Sequence, residues 1–212
     1  AQTLGYQLLD SGALYRIVGL KAFEAGLITA DASQAIDETA LLELTQSLQI
    51  VFEPNSDSGR VDIIVNGAKI GEQVRNETVG GYASQVAVYP KVRQALLKLQ
   101  QDMAIQSGLV ADGRDMGTVV FPDADVKVYL TASATARAER RVAQLLKAGQ
   151  AADFDAILAT IKARDERDEN RATAPSKPAE DALVLDSSNL DADAVYELVK
   201  KHCQDKGVCF NR

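Results

Sequence analysis

Short apolar strands alternate with helical segments along most of this sequence. The predicted strands lie at residues 6–9, 108–112, 126–130 and 182–185. Helices are predicted from Asp10-Ser11-Gly12 onward, from Asp191 onward, and at about residues 33–48, 74–87, 90–106, 133–148 and 153–171. Parallel strands need a crossover connection, which is usually a helix. The order therefore predicts an α/β fold with a parallel sheet.

One stretch interrupts this order, because hydrophobic residues between 49 and 71 recur with a period of two. The strands predicted there are 50–53, 60–65 and 68–70. A turn is expected at residues 54–59, and Asn66-Gly67 is a strong signal for a second, tight hairpin turn. Residues 49–71 are therefore predicted to form a small antiparallel sheet inserted into the α/β order.

Charged and polar groups follow the predicted strands at their carboxyl ends, which is where open α/β sheets bind ligands. These groups are Asp10-Ser11-Gly12 with Tyr15-Arg16, Asp112-Gly113-Arg114-Asp115, Thr131 to Ser133, and Asp186-Ser187-Ser188. Helix capping is the simplest interpretation of Ser133, Ser187 and Ser188, because a serine oxygen accepts from the first N–H groups of a helix. Capping does not account for Arg16 or Arg114.

The two helices predicted between residues 133 and 171 form the most basic stretch of the chain. The residues that share a helix face are Arg137, Arg140 and Arg141 in the first helix, and Arg164, Asp168 and Arg171 in the second. A solvated face with ion pairs is one interpretation. However, six arginines against three lysines lie between residues 126 and 171. Planar guanidinium groups suit bidentate phosphate binding, so the bias favours a phosphate ligand.

Composition excludes several classes of function. The net charge of −7 argues against broad binding to nucleic acid or to a membrane surface, which needs a basic face. No apolar run approaches the roughly 18 residues that a membrane span requires. His202, Cys203 and Cys209 provide neither a tetrahedral ligand set nor a CxxC motif, so free thiols in a reducing cytosol are expected.

Four motifs in this order resemble the bacterial cytidylate kinase family: LLDSGALYR, YASQVAVYPKVRQALL, ADGRDMGTVVFPDADVKVYL and IKARDERDENR. Each motif alone is weak, but the four are in register from about Leu4 to Lys200, with the hairpin insertion between the first two. The resemblance implies one kinase domain with the P-loop nucleoside monophosphate kinase fold, a parallel sheet with helices on both faces. Its parts would be a core at 1–30, 83–132 and 172–212, a monophosphate-binding insertion at 31–82, and an arginine-rich lid at 133–171.

The same resemblance implies transfer of the γ-phosphoryl group of ATP to CMP or dCMP with Mg²⁺, by a cytoplasmic monomer. It also assigns ten side chains to the acceptor nucleotide. Ser84, Arg93 and Asp115 would face the cytosine, Arg164 and Asp168 the sugar hydroxyls, and Arg16, Arg114 and Arg171 the monophosphate, with Ser11 and Tyr15 lining the same pocket. The side chains expected to stabilise the transferred charge are Arg114, Arg137, Arg141 and Arg171.

Asp112 has two interpretations of equal weight. Its carboxylate either orients Mg²⁺ through a water molecule, or caps the turn after the strand and pairs with a neighbouring arginine.

One departure from the family is serious, because no glycine-rich GxxxxGK[ST] loop occurs in these 212 residues. The backbone and lysine of that loop hold the donor phosphates in such kinases. Either the sequence begins after the loop of a complete enzyme, or the chain is a truncation that lacks catalytic power. We favour the first, because a sheet without its first strand would expose a central edge. The alternatives to a (d)CMP kinase are a UMP or AMP kinase and a non-catalytic nucleotide-binding fragment.

Overall fold

A computed structural model describes residues 1–33, 35–55, 60–104, 108–170 and 174–210 of the chain. Within it, residues 1–113 form one compact unit and residues 114–210 form a second. The division into core, insertion and lid stays a prediction. No helix in the described part of the chain is both long and apolar enough to cross a membrane.

The first unit contains five strands and four α-helices among its described residues. They are β1 (Gln7–Asp10), α1 (Ser11–Glu24), α2 (Glu38–Ser47), β2 (Ile50–Asn55), β3 (Arg60–Val65), β4 (Ala68–Ile70), α3 (Glu77–Val86), α4 (Pro90–Met103) and β5 (Leu109–Asp112). β1 and β5 pair in parallel, with Asp10 opposite Asp112 at their carboxyl ends. The predicted parallel arrangement is confirmed for this pair.

Helices α1 and α3 pack unusually closely in the first unit. A Cβ atom at Gly19 would lie 2.6 Å from the backbone carbon of Tyr82, which no real Cβ contact allows. One turn further along α1, the Phe23 and Tyr82 rings stack with their centroids 4.5 Å apart. Leu14, Ile17 and other fully buried side chains of α1 complete this core. Glycine at position 19 therefore allows α1 to approach α3, and this packing fixes the helix that carries Tyr15 and Arg16.

The antiparallel insertion is confirmed. β2 pairs with β3, and β3 pairs with β4, both in the antiparallel sense. Asn66 and Gly67 join β3 to β4 with φ angles of 51° and 79°, the left-handed conformation that a tight hairpin turn requires. Most of the turn predicted at residues 54–59 lies outside the described residues.

The second unit contains two strands and three α-helices among its described residues. They are β6 (Val128–Thr131), α5 (Ala134–Lys147), α6 (Phe154–Asn170), β7 (Leu183–Asp186) and α7 (Ala192–Asp205). β6 and β7 are parallel, as predicted, and the Ser187 N–H extends their pairing by donating to the Thr131 carbonyl at 2.8 Å. At the other end of the pair, the Lys127 ammonium binds the Asp181 carboxylate at 2.8 and 2.9 Å.

Several element boundaries differ from the sequence predictions, and two differences are the clearest. Helix α2 begins at Glu38, five residues after the predicted start at residue 33, because the Asp37 side chain accepts from Thr39 and Ala40 and so caps the helix there. After β5, residues Met116–Val120 form a π-helical turn that the sequence did not predict. The turn places Asp115 at its start, with the Asp115 carbonyl accepting from Val119 at 2.9 Å and Val120 at 3.2 Å.

Candidate functional site

The carboxyl ends of β1 and β5 present two carboxylates. The Asp10 side chain accepts from the Ala13 N–H at 2.9 Å and caps α1, which begins with the buried Ser11. Asp112 lies opposite Asp10 in the strand register and is exposed. In the described residues, no group of three or more His, Cys, Asp or Glu side chains is arranged to hold a metal ion.

Arg16 projects from α1 toward the segment that precedes α3. Its Nη1 donates to the Val74 carbonyl at 3.1 Å and to the Asn76 carbonyl at 2.8 Å. Its Nη2 lies 3.2 Å from the place where a Cβ atom at Gly80 would stand, so the guanidinium rests against a helix position without a side chain. The guanidinium borders a cleft of about 210 Å³, and the residues lining that cleft are Asp10, Ala13, Arg16, Ile63 and Val74.

Tyr15 and Arg93 meet in the first unit although 77 residues separate them. The Arg93 guanidinium lies over the Tyr15 ring, with its central carbon 5.6 Å from the ring centroid. Arg93 is only 8% exposed, and its Nη1 donates to the Ala87 carbonyl at 3.4 Å. Ser84 lies on α3, where its hydroxyl donates to the Gly80 carbonyl at 3.2 Å. Burying a guanidinium is costly unless its charge and N–H groups are paired, and the aromatic face and the carbonyl offset part of that cost.

A second cluster forms in the second unit around Asp168 of α6. Its carboxylate makes an ion pair with Arg114, and the Arg164 Nε lies 3.9 Å from the same oxygen. Asp168 is 18% exposed, so this carboxylate is largely shielded between the two guanidinium groups. Asp115, which directly follows Arg114, is 5% exposed. The fold thus brings together three residues assigned to the sugar and the phosphate.

The three arginines of α5 have different surroundings. Arg137 makes a bidentate ion pair with Asp165 of α6, through Nη1 to Oδ1 at 2.9 Å and Nη2 to Oδ2. This carboxylate raises the pKa of Arg137. Arg140 instead donates to the carbonyls of Ser187 and Leu190, after β7. Arg141 is half-buried on the same helix.

Capping was the right interpretation for one serine and the wrong one for two. Ser133 caps α5 by accepting from Ala136 at 3.1 Å. Ser188 instead donates to Asp186 at 2.6 Å and accepts from the Ser133 N–H at 2.8 Å. Ser187 donates to the Thr131 carbonyl at 3.0 Å. The cap of α7 is Asp191, which lies closer to the first turn of that helix.

Sequence reasoning missed one residue in this region and the contacts of another. It did not single out Asp165, because an ion pair with a residue 28 positions earlier leaves no local pattern. It placed Arg140 on one face with Arg137 and Arg141, and did not predict that Arg140 donates to the backbone after β7. Arg171, which the resemblance assigns to the monophosphate, lies outside the described residues. Cys203 and Cys209 are free thiols, as expected, and burial raises the pKa of Cys203.

Comparison with known proteins gives consistent matches along the chain. The family model described as cytidylate kinase matches residues 1–205. Cytidylate kinase of Pasteurella multocida (strain Pm70) is 52% identical over 204 residues, which cover 96% of this chain and 86% of that protein. Cytidylate kinase 1 of Haemophilus influenzae is 49% identical over 210 residues, covering 99% and 87%. Cytidylate kinase of Actinobacillus succinogenes is 49% identical over 207 residues, covering 97% and 90%.

Proposed function

The chain belongs to the cytidylate kinase family, and we propose that it transfers the γ-phosphoryl group of ATP to CMP or dCMP, giving ADP and CDP or dCDP. The observation that carries this proposal is the grouping of the residues assigned to the acceptor nucleotide within each unit. Arg93 lies on Tyr15 in the first unit, and Arg114 and Arg164 flank Asp168 in the second.

Base recognition follows from the polarity of the cytosine edge. Cytosine presents acceptors at N3 and O2 and a donor at its amine. Arg93 is proposed to donate to the ring, Asp115 to accept from the amine, and the Ser84 hydroxyl to adapt to either. Uracil reverses two of these groups and would leave buried polar groups unpaired, at a cost of about 1–3 kcal/mol for each group. Arg93 and Asp115 are both buried, which supports a role in which such mismatches are costly.

The sugar and phosphate are proposed to bind the remaining assigned residues. Arg164 and Asp168 would bind the sugar hydroxyls. The monophosphate dianion would be held by Arg16, Arg114 and Arg171, with Ser11 and Tyr15 beside it. Two carbonyls already fix the Arg16 guanidinium, so little side-chain entropy remains to be lost when an anion binds.

ATP-using kinases of this kind generally need a divalent metal, and we propose Mg²⁺. The exposed carboxylate of Asp112 fits a role in which it holds the ion through water, since Mg²⁺ keeps several waters and takes one or two carboxylates with substrate phosphates. When bound, the ion would supply positive charge beside the phosphate oxygens.

Phosphoryl transfer depends chiefly on positioning and electrostatic stabilisation, because there is little covalent chemistry for the protein to perform. The side chains proposed to stabilise the developing charge are Arg114, Arg137, Arg141 and Arg171. No general base is needed in this scheme. The division into core, insertion at 31–82 and lid at 133–171 belongs to the same proposal, as does a cytoplasmic monomer.

The test is an assay of product formation from ATP with CMP, dCMP, UMP or AMP, using protein expressed from its complete reading frame. CMP and dCMP should be phosphorylated much faster than UMP or AMP. Faster turnover of UMP or AMP would favour a different monophosphate kinase. Calorimetric binding of CMP without turnover would favour a non-catalytic nucleotide-binding protein.

A further inference from the structure

Helix α6 carries two charged clusters on neighbouring positions. Arg164 and Asp168 lie one turn apart and join Arg114 in the cluster assigned to the acceptor. Asp165 follows Arg164 directly and pairs with Arg137 of α5. The same turn of α6 therefore belongs to the cluster assigned to the acceptor nucleotide and also pairs with Arg137, which is proposed to stabilise the transferred phosphoryl group.

The Arg137 guanidinium is fixed on three of its N–H groups. Nε donates to the carbonyl of Ala132 at 3.1 Å, and the two Nη groups donate to the two oxygens of Asp165. A bidentate fork sets both the distance and the plane of a guanidinium, which a single contact cannot do. The pair is partly shielded, with the Arg137 side chain 38% exposed and that of Asp165 30% exposed.

The contacts of Arg140 anchor α5 independently of the Arg137–Asp165 pair. Arg140, one turn after Arg137, already ties α5 to the carbonyls of Ser187 and Leu190. The Ser133 N–H at the start of α5 is bound by Ser188. The carboxylate of Asp165 therefore adds orientation of the Arg137 guanidinium to a helix that has other anchors.

We propose that Asp165 is a positioning residue for phosphoryl transfer: it holds the Arg137 guanidinium in a fixed plane, in register with the acceptor cluster on α6. This inference rests on the proposed function, in which Arg137 stabilises the transferred charge. Groups that are preorganised before the reaction stabilise a transition state without the cost of reorientation. Small misplacements of such groups lower turnover by up to about a hundredfold.

The test compares Asp165→Asn with Glu166→Gln in the full-length protein. Asp165→Asn keeps the side-chain shape but loses the charge and one of the two acceptor oxygens. It should lower kcat about tenfold, with the KM for CMP changed by less than about twofold, because ground-state binding of the acceptor is untouched. Glu166→Gln removes the same charge from an exposed neighbouring position and should leave kcat within about twofold. An unchanged or raised kcat for Asp165→Asn would overturn the proposal.

A double variant shows whether Asp165 acts through Arg137. If it does, adding Asp165→Asn to Arg137→Ala should change kcat by less than about twofold, since the group to be positioned is already gone. A further tenfold loss in the double variant would overturn the proposal. A structural role would instead lower both the melting temperature and kcat of Asp165→Asn and raise its KM for CMP, and that result would overturn the proposal.

Nuclear magnetic resonance separates this inference from the proposed function. The Arg137 side-chain N–H signals should remain slow to exchange when CMP and a non-hydrolysable ATP analogue are added, and should lose that protection in Asp165→Asn. Loss of protection in the native protein on adding both nucleotides would mean that the ion pair opens, which overturns the positioning role. A protein that forms no CDP but keeps this protection would contradict the proposed function; of the inference, only the fixed guanidinium would then stand, without its role in phosphoryl transfer.

Discussion

The two units hold their arginines in different ways. In the first unit, Arg16 and Arg93 donate to backbone carbonyls, and Arg93 also lies on an aromatic ring. In the second unit, Arg114 and Arg137 make ion pairs with aspartates of α6. A carbonyl orients a guanidinium through its dipole but does not neutralise the positive charge. A carboxylate orients the guanidinium and also neutralises it.

The units also differ in burial. Most of the buried apolar side chains in the described residues belong to the first unit, including Leu14, Ile17 and Leu96. Helices α6 and α7 of the second unit bury no residue. Apolar packing is therefore more extensive in the first unit, and ion pairs with α6 help to hold arginines of the second. Backbone carbonyls also bind arginines of the second unit. Arg140 donates to the carbonyls of Ser187 and Leu190, and Arg137 adds a hydrogen bond to the Ala132 carbonyl to its ion pair.

The largest expected effect separates the two kinds of arginine within α5. Arg137→Ala should lower kcat about a hundredfold, if the guanidinium supplies the several kcal/mol typical of a transition-state donor. Arg140→Ala should chiefly lower stability, by about 1–3 kcal/mol, because it leaves carbonyl groups unsatisfied. Steady-state kinetics and denaturant unfolding of both variants check this. If Arg140→Ala lowers kcat and Arg137→Ala lowers only stability, Arg137 has no part in phosphoryl transfer and the two arginines do not differ as proposed.

The second effect tests packing as the organising force of the first unit. Gly19→Ala places a methyl group against the Tyr82 backbone and should lower the free energy of unfolding by about 1–3 kcal/mol, as overpacking does. The matched control is Gly149→Ala in the second unit. Its φ angle is +72° and nothing lies within 4 Å of the added atom, so only backbone strain of about 1 kcal/mol is expected. Chemical denaturation measures both, and equal losses would mean that the close approach of α1 to α3 is not a source of stability.

The third effect concerns the buried carboxylate Asp115. Asp115→Ala should lower kcat/KM for CMP far more than for UMP and narrow their ratio about tenfold, because one cytosine hydrogen bond is lost. If Asp115 serves only the fold, both substrates should lose activity together with the melting temperature. Measuring the two substrates and the melting temperature in one preparation distinguishes these results. A CMP to UMP ratio equal to that of the native protein would exclude the base-reading role.

Local sequence signals predicted local structure well, whereas long-range pairs were hidden. The period of two and Asn66-Gly67 predicted the insertion, because turn geometry depends on adjacent residues. The resemblance identified Arg114, Arg164 and Asp168, and the fold then brought them together. The Asp165 pair and the carbonyl contacts of Arg140 depend on how α5 meets α6 and the turn after β7. Spacing within one helix carries no information about such contacts.

The smallest expected effect compares one exposed aspartate from each unit. In the first unit, hydrogen bonds from Thr29 and Ser33 lower the pKa of Asp31, and both partners are neutral. In the second, the hydrogen bond from the Lys127 ammonium lowers the pKa of Asp181. A carboxyl whose pKa is lower in the folded state stabilises the fold above its unfolded pKa, and that contribution is lost as the pH falls through the folded pKa.

Asp31→Asn and Asp181→Asn should therefore each weaken the acid dependence of unfolding below about pH 4, near the ordinary aspartate pKa. Only the Asp181 effect should shrink as salt rises, because mobile ions screen its attraction to Lys127 while they act little on hydroxyl donors. Urea unfolding at several pH values, in low and high salt, measures this. Equal salt dependence of the two variants would mean that the charge of Lys127 adds nothing beyond its hydrogen bond. Neutral and charged partners would then stabilise these two carboxylates in the same way.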